Sequence, residues 1–65
     1  MGLVQRFIVT IEGPGGWQDI QDMELARPPV EGDTIETRYG TCIVTAVDST
    51  PDTESYHGKI VCRLP

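Results

Sequence analysis

Two segments decide the fold: Thr41–Thr50, TCIVTAVDST, and His57–Leu64, HGKIVCRL. In the first, Cys42, Val44 and Ala46 alternate with Ile43, Thr45 and Val47. In the second, Ile60, Cys62 and Leu64 alternate with Val61 and Arg63. Alternation of β-branched residues without helical spacing marks strands. The run Asp48–Ser55 between them is polar and holds Pro51, so it reads as a loop. A hairpin symmetric about Asp52 sets Cys42 opposite Cys62 and Val44 opposite Ile60. Its core face then carries Cys42, Val44, Ala46, Ile60, Cys62 and Leu64. A slip of one residue would send every side chain to the opposite face, so register is the weak point of this reading.

Working outward, the sequence predicts a short feeding strand over Thr34–Tyr39, with Ile35, Thr37 and Tyr39 on one face. Gly40 lies in the tight turn Arg38–Thr41 that leads into the hairpin. Upstream, Leu3–Glu12 alternates cleanly. Phe7, Val9 and Ile11 point one way, and Arg6, Ile8, Thr10 and Glu12 the other. The Gly13-Pro-Gly-Gly16 turn follows; it has neither the lysine nor the spacing of a phosphate-binding loop. Trp17–Leu25 reads as a strand with Trp17, Gln21, Met23 and Leu25 on one face. A helical reading with Trp17, Ile20 and Met23 aligned stays open, although no N-cap precedes it. Arg27–Asp33 is a linker, because Pro28 and Pro29 cannot sit in a central strand and Glu31-Gly32-Asp33 is turn chemistry.

The order strand, glycine turn, strand, PPVEGDTI, short strand, tight turn, long strand, loop and GKIVCRL resembles the small five-stranded SH3-like barrels. The approach Pro29–Ile35 is similar to entries into their middle strands. The resemblance implies an all-β fold: a small antiparallel five-stranded barrel or highly twisted meander, one domain over residues 1–65. It does not carry SH3-type peptide recognition. That needs a groove of several aromatics, and Trp17, Tyr39 and Tyr56 stand in the wrong local contexts.

Composition narrows function. A chain of 65 residues supports one small core, and its 38% hydrophobic content matches that limit. The net charge of −5 and five scattered basic residues argue against nucleic-acid binding, which needs clustered cations to release counterions. No apolar run approaches the roughly 18 residues of a membrane span, and no signal peptide is recognisable. Met1-Gly2 lacks the Ser or Thr of a myristoylation start, since Arg6 stands there. A soluble, cytoplasmic protein is expected.

Two cysteines and His57 do not form a metal-ligand set, and no cofactor motif occurs. Cys42 and Cys62 read as buried free thiols, with a cross-hairpin disulfide as the alternative. Carboxylates are plentiful but fall in loops and outer faces. Asp48–Glu54 lacks the order of a calcium loop, and Tyr56-His57 lacks a nucleophile. No enzyme activity is expected.

If the inward residues fill the barrel, Ile8, Ile20, Ile43, Val47 and Val61 point outward and can join into an apolar patch. Twist and bulges that turn some of them inward are the competing outcome. Trp17 is a rim or core residue that becomes a binding residue if exposed. The expectation is therefore a protein-interaction module, with a protein partner or a homodimer covering the outer face or an edge strand. The alternative is an acidic inhibitor or nucleic-acid mimic that blocks a basic protein. A third reading is an accessory subunit that folds beside a larger chain.

Overall fold

The computed structural model describes residues 4–48 and 56–65. Five strands form one sheet: β1 (Gln5–Glu12), β2 (Gln18–Leu25), β3 (Thr34–Thr37), β4 (Gly40–Asp48) and β5 (Gly58–Arg63). Their order is β2-β1-β5-β4-β3, and the sheet curls into a half-barrel. The chain is all-β, as the alternation requires. Trp17–Leu25 is a strand from Gln18 onward and not a helix. Of the predicted elements, Leu3 and the loop residues 49–55 lie outside the described residues.

The sheet is mixed. β1–β2, β3–β4 and β4–β5 are antiparallel, but β1 lies parallel to β5, with Phe7 beside Gly58 and Ile11 beside Cys62. An entirely antiparallel arrangement is thereby corrected. Two local units, β1–β2 and β3–β4–β5, meet along this parallel seam.

The concave face holds the core: Phe7, Val9, Ile11, Ile35, Cys42, Val44, Ile60 and Cys62, with Met23, Leu25, Val47 and Leu64 packed against it. β1 alternates buried and partly exposed residues as its sequence predicts. Burying these side chains removes apolar surface from water at about 25 cal/mol per Å². Among the described residues no polar or charged side chain is buried with them.

The β4–β5 register corrects the symmetric hairpin. Val44, not Cys42, lies opposite Cys62, and Val47 lies opposite Ile60. A β-bulge between Val44 and Ala46 accounts for the second change. Thr45 and Ala46 both point to solvent, and Val47 turns inward against the core. Ala46 is thus not a core residue, and Val47 is not on the outer face. The bulge buries the larger of two neighbouring apolar side chains, which is the favourable direction.

Candidate interaction surface

Register decides which outward residues meet. On the convex face one row runs Ile20, Thr10, Val61, Ala46, and the next runs Asp22, Ile8, Lys59, Asp48. Ile20 is well exposed, whereas Ile8 and Val61 are half-buried. Ile43 is exposed but lies opposite Arg63, away from that row. The Tyr56 hydroxyl reaches across β1 to donate to the Asp22 carboxylate at 3.0 Å. With Val47 turned inward, the expected outer patch reduces to a short strip between Ile20 and Val61, bordered by a charged row.

A different apolar surface forms at one end of the half-barrel. The Gly13–Gly16 turn is closed by the Gly13 N–H donating to the Trp17 carbonyl at 2.9 Å and the Gly16 N–H to the Gly13 carbonyl at 3.2 Å. Gly15 and Gly16 adopt positive φ, which an L side chain resists. The Trp17 indole lies directly over Gly13: an ideal Cβ at position 13 would sit 2.0 Å from a ring carbon.

On the facing side, the β3–β4 turn places Arg38 and Tyr39 at its corner. The Thr37 hydroxyl donates to the Gly40 carbonyl at 2.9 Å and accepts the Tyr39 N–H at 3.1 Å. The Trp17 and Tyr39 rings meet with centroids 4.9 Å apart and planes tilted by 59°, within the range of favourable aromatic pairs. Both remain accessible, Trp17 at 40% and Tyr39 at 44%.

Polar contacts between β2 and this turn hold the pair. The Tyr39 hydroxyl donates to the Asp19 carboxylate. Arg38 forms an ion pair with Asp19 at 3.8 Å, donates through its guanidinium to the Ile20 carbonyl at 3.3 Å, and donates its backbone N–H to Gln21 Oε1 at 3.1 Å. These side chains bridge the two edges of the sheet. The Tyr39 hydrogen bond and then the Ile20 N–H hold the Asp19 carboxyl below its ordinary range against desolvation, with the Arg38 charge adding least. The same bond pushes the Tyr39 phenol up.

The rings form one wall of an open groove of about 430 Å³, completed by Pro14, Thr41, Leu64 and Pro65. The Thr41 hydroxyl donates to Glu36 at 2.6 Å, so a second carboxylate stands behind the groove wall. Beyond the indole lies a smaller depression of about 90 Å³ between Glu12, Gly13, Gly16, Gln18 and Arg63. The sequence leaves Trp17 as either a rim or a core residue, and at 40% exposure it lies at the rim. Tyr39, expected on the strand face with Ile35 and Thr37 and set aside as a groove aromatic, lies instead in the turn after β3, where it meets Trp17. One signal was available: each aromatic adjoins a turn glycine, Gly16 or Gly40, where strand alternation no longer directs a side chain into the core.

Elsewhere the chemistry is structural. Cys42 and Cys62 are free, buried thiols. The Cys62 thiol is pushed up to about 12, chiefly by burial and then by its hydrogen bond with Cys42. His57 accepts the Arg6 backbone N–H on Nδ1 at 3.2 Å and donates its backbone N–H to the Arg6 carbonyl at 2.8 Å, which pins the start of β5 to β1. Among the described residues no three His, Cys, Asp or Glu side chains are grouped to hold a metal ion, and no helix is long and apolar enough to cross a membrane. No family model matches the chain, and neither a curated protein nor a solved structure matches it.

Proposed function

We propose that this chain is a small cytoplasmic protein-interaction module that docks a partner at the aromatic end of its half-barrel. The observation that carries the reading is the accessible Trp17–Tyr39 pair beside a groove of about 430 Å³. Exposed Trp and Tyr, held by packing and hydrogen bonds before any partner arrives, are the residue types that dominate binding energy at interfaces. Two glycine turns and the Arg38–Asp19 bridge hold these rings in place. The SH3-like reading enters only as a small barrel presenting an aromatic end. The convex strip of Ile20 and Val61, through which the chain would form a homodimer or accessory contact, is the second reading, supported by the 60% exposure of Ile20.

The test compares variants in nuclease-treated lysate, with mass spectrometry of what the immobilised chain retains. Tyr39→Ala and Trp17→Ala, each checked for retained β structure by circular dichroism, are expected to weaken capture of a stoichiometric partner. A hot-spot loss of about 2 kcal/mol corresponds to roughly thirtyfold. Ile20→Asp with Val61→Asp is expected to leave capture unchanged. The reverse outcome would assign the interface to the convex face.

A further inference from the structure

Charge is distributed unevenly over this fold. The two edge strands and the segment joining them carry Asp19, Asp22, Glu24, Glu31, Asp33 and Glu36 against Arg27, with Arg38 in the turn that follows β3. The three inner strands carry Glu12 and Asp48 against Arg6, Lys59 and Arg63. The aromatic groove joins the two sets: Trp17 leads into β2 and Tyr39 follows β3 on the acidic side, while Thr41, Leu64 and Pro65 come from β4 and the end of β5. The ionised groups bonded to its lining side chains are carboxylates: Asp19 on the Tyr39 hydroxyl and Glu36 on the Thr41 hydroxyl. Among the described residues no cationic side chain lines the groove itself. Arg38, beside the groove, is engaged by Asp19, Gln21 and the Ile20 carbonyl, and Arg63 lies in the depression beyond the indole with Glu12.

Resting on the interaction reading above, we infer that the groove takes an arginine- or lysine-bearing extended segment of a partner protein, with the cationic side chain seated against the Trp17 and Tyr39 rings. Three features converge on a cation. Indole and phenol faces attract one through their quadrupoles. Glu36 behind the wall adds a field of the right sign at short range, where salt screens it least, whereas the Asp19 charge is offset by Arg38. The apolar floor of Pro14, Leu64 and Pro65 accommodates the methylene stem of such a side chain while its head stays polar.

The partner's backbone has a place to continue. In β2 the residues that bond β1 are those in phase with Trp17, whose carbonyl accepts the Gly13 N–H. Ile20, Asp22 and Glu24 are out of phase, so their backbone groups face the sheet edge. Ile20 is already occupied: its N–H donates to Asp19 Oδ1 at 2.8 Å, and its carbonyl accepts from Arg38. Among the described residues no strand neighbours Asp22 and Glu24 on that side. Past the Arg38 contact at Ile20, an extended segment meets an edge that no described strand pairs, flanked by the Asp22 and Glu24 carboxylates, which favours basic residues at alternate positions.

The test uses the whole chain, isotope-labelled, and three small probes followed by amide and indole N–H resonances. N-acetyl-arginine amide is expected to shift the Trp17 indole and the Tyr39 and Thr41 amides. N-acetyl-citrulline amide, the neutral near-isostere, is expected to bind at least roughly tenfold more weakly. N-acetyl-glutamate amide is expected to leave those resonances unmoved. Equal shifts from arginine and citrulline probes, or arginine shifts confined to resonances outside the groove, or no shifts at all, would overturn the inference. These probes need no variant, so failure to fold cannot mimic failure to bind. If they fail while Tyr39→Ala still abolishes capture from lysate, the cation is lost and the docking site stands. If capture proves independent of Tyr39 and Trp17, the interaction reading itself is lost.

Discussion

Trp17 lies where it does because position 13 has no side chain. The ring occupies the space a Cβ would need, at 2.0 Å from a ring carbon, which is closer than real Cβ contacts come. Gly13→Ala must therefore displace the indole and separate it from Tyr39. We expect a red-shifted tryptophan emission and a stability loss of about 1–3 kcal/mol in denaturant titration, the usual range for an overpacked contact. An unchanged emission maximum and midpoint would show that the ring has another resting place. Of this arrangement the sequence shows only the tryptophan and the glycine. A contact between residues four apart across a turn depends on the turn's path, which the residue types alone leave open.

At the scale of elements, β1 was legible because it carries a single unbroken alternation, whereas in β2 Asp19 and Ile20 interrupt the pattern and left a helix open as the other reading. Phe7, Val9 and Ile11 have no apolar competitor of equal size at every step of the opposite face. β4 was less legible because Ala46 and Val47 are both apolar and adjacent, so either alternation satisfies the pattern. The bulge resolves this in favour of Val47. Val47→Asp should therefore cost about 1–3 kcal/mol by placing a charge against the core. Ala46→Asp, one residue away, should stay within about 0.5 kcal/mol. Equal costs in thermal or denaturant unfolding would contradict the assigned faces. The hairpin register read from symmetry was out by two residues at Cys62. Because strand side chains repeat every two residues, that error left the inward face of Cys42, Val44 and Cys62 intact. The parallel pairing of β1 with β5 had no signal in either strand, since nothing in an alternating pattern names its neighbour.

Across the whole molecule, side chains complete what the open sheet leaves apart. Both tyrosines of the chain donate to carboxylates on β2, Tyr39 to Asp19 and Tyr56 to Asp22. Bonding to Tyr39 lowers the folded-state pKa of Asp19 below 3.8, so its contribution is present above that value and lost as pH falls through the depressed one. The phenol pKa values of Tyr39 and Tyr56 are raised above 10.0, chiefly by these bonds, so the donors persist until pH rises through the raised values. Ultraviolet titration of tyrosinate should show both midpoints above 10.0, and Asp19→Asn with Asp22→Asn should bring them down. Midpoints indifferent to these substitutions would mean that the bonds do not form in solution. Trp17 fluorescence should hold steady through the ordinary carboxylate range on acidification and change only below it, as the Asp19–Tyr39 bond is lost.

The parallel seam between β1 and β5 also has a consequence in time. It joins residues such as Arg6 and His57, which are 51 positions apart, whereas both β1–β2 and β3–β4 close over short turns. Local hairpins can form and dissolve quickly, but this central ladder must wait for a long excursion of chain to return and align. The two halves of the sheet are thus fast to draft and slow to join. Until β1 meets β5, the inward faces of both halves stand open to water and to one another's copies. The strands at the centre of the finished sheet are the last to be sheltered.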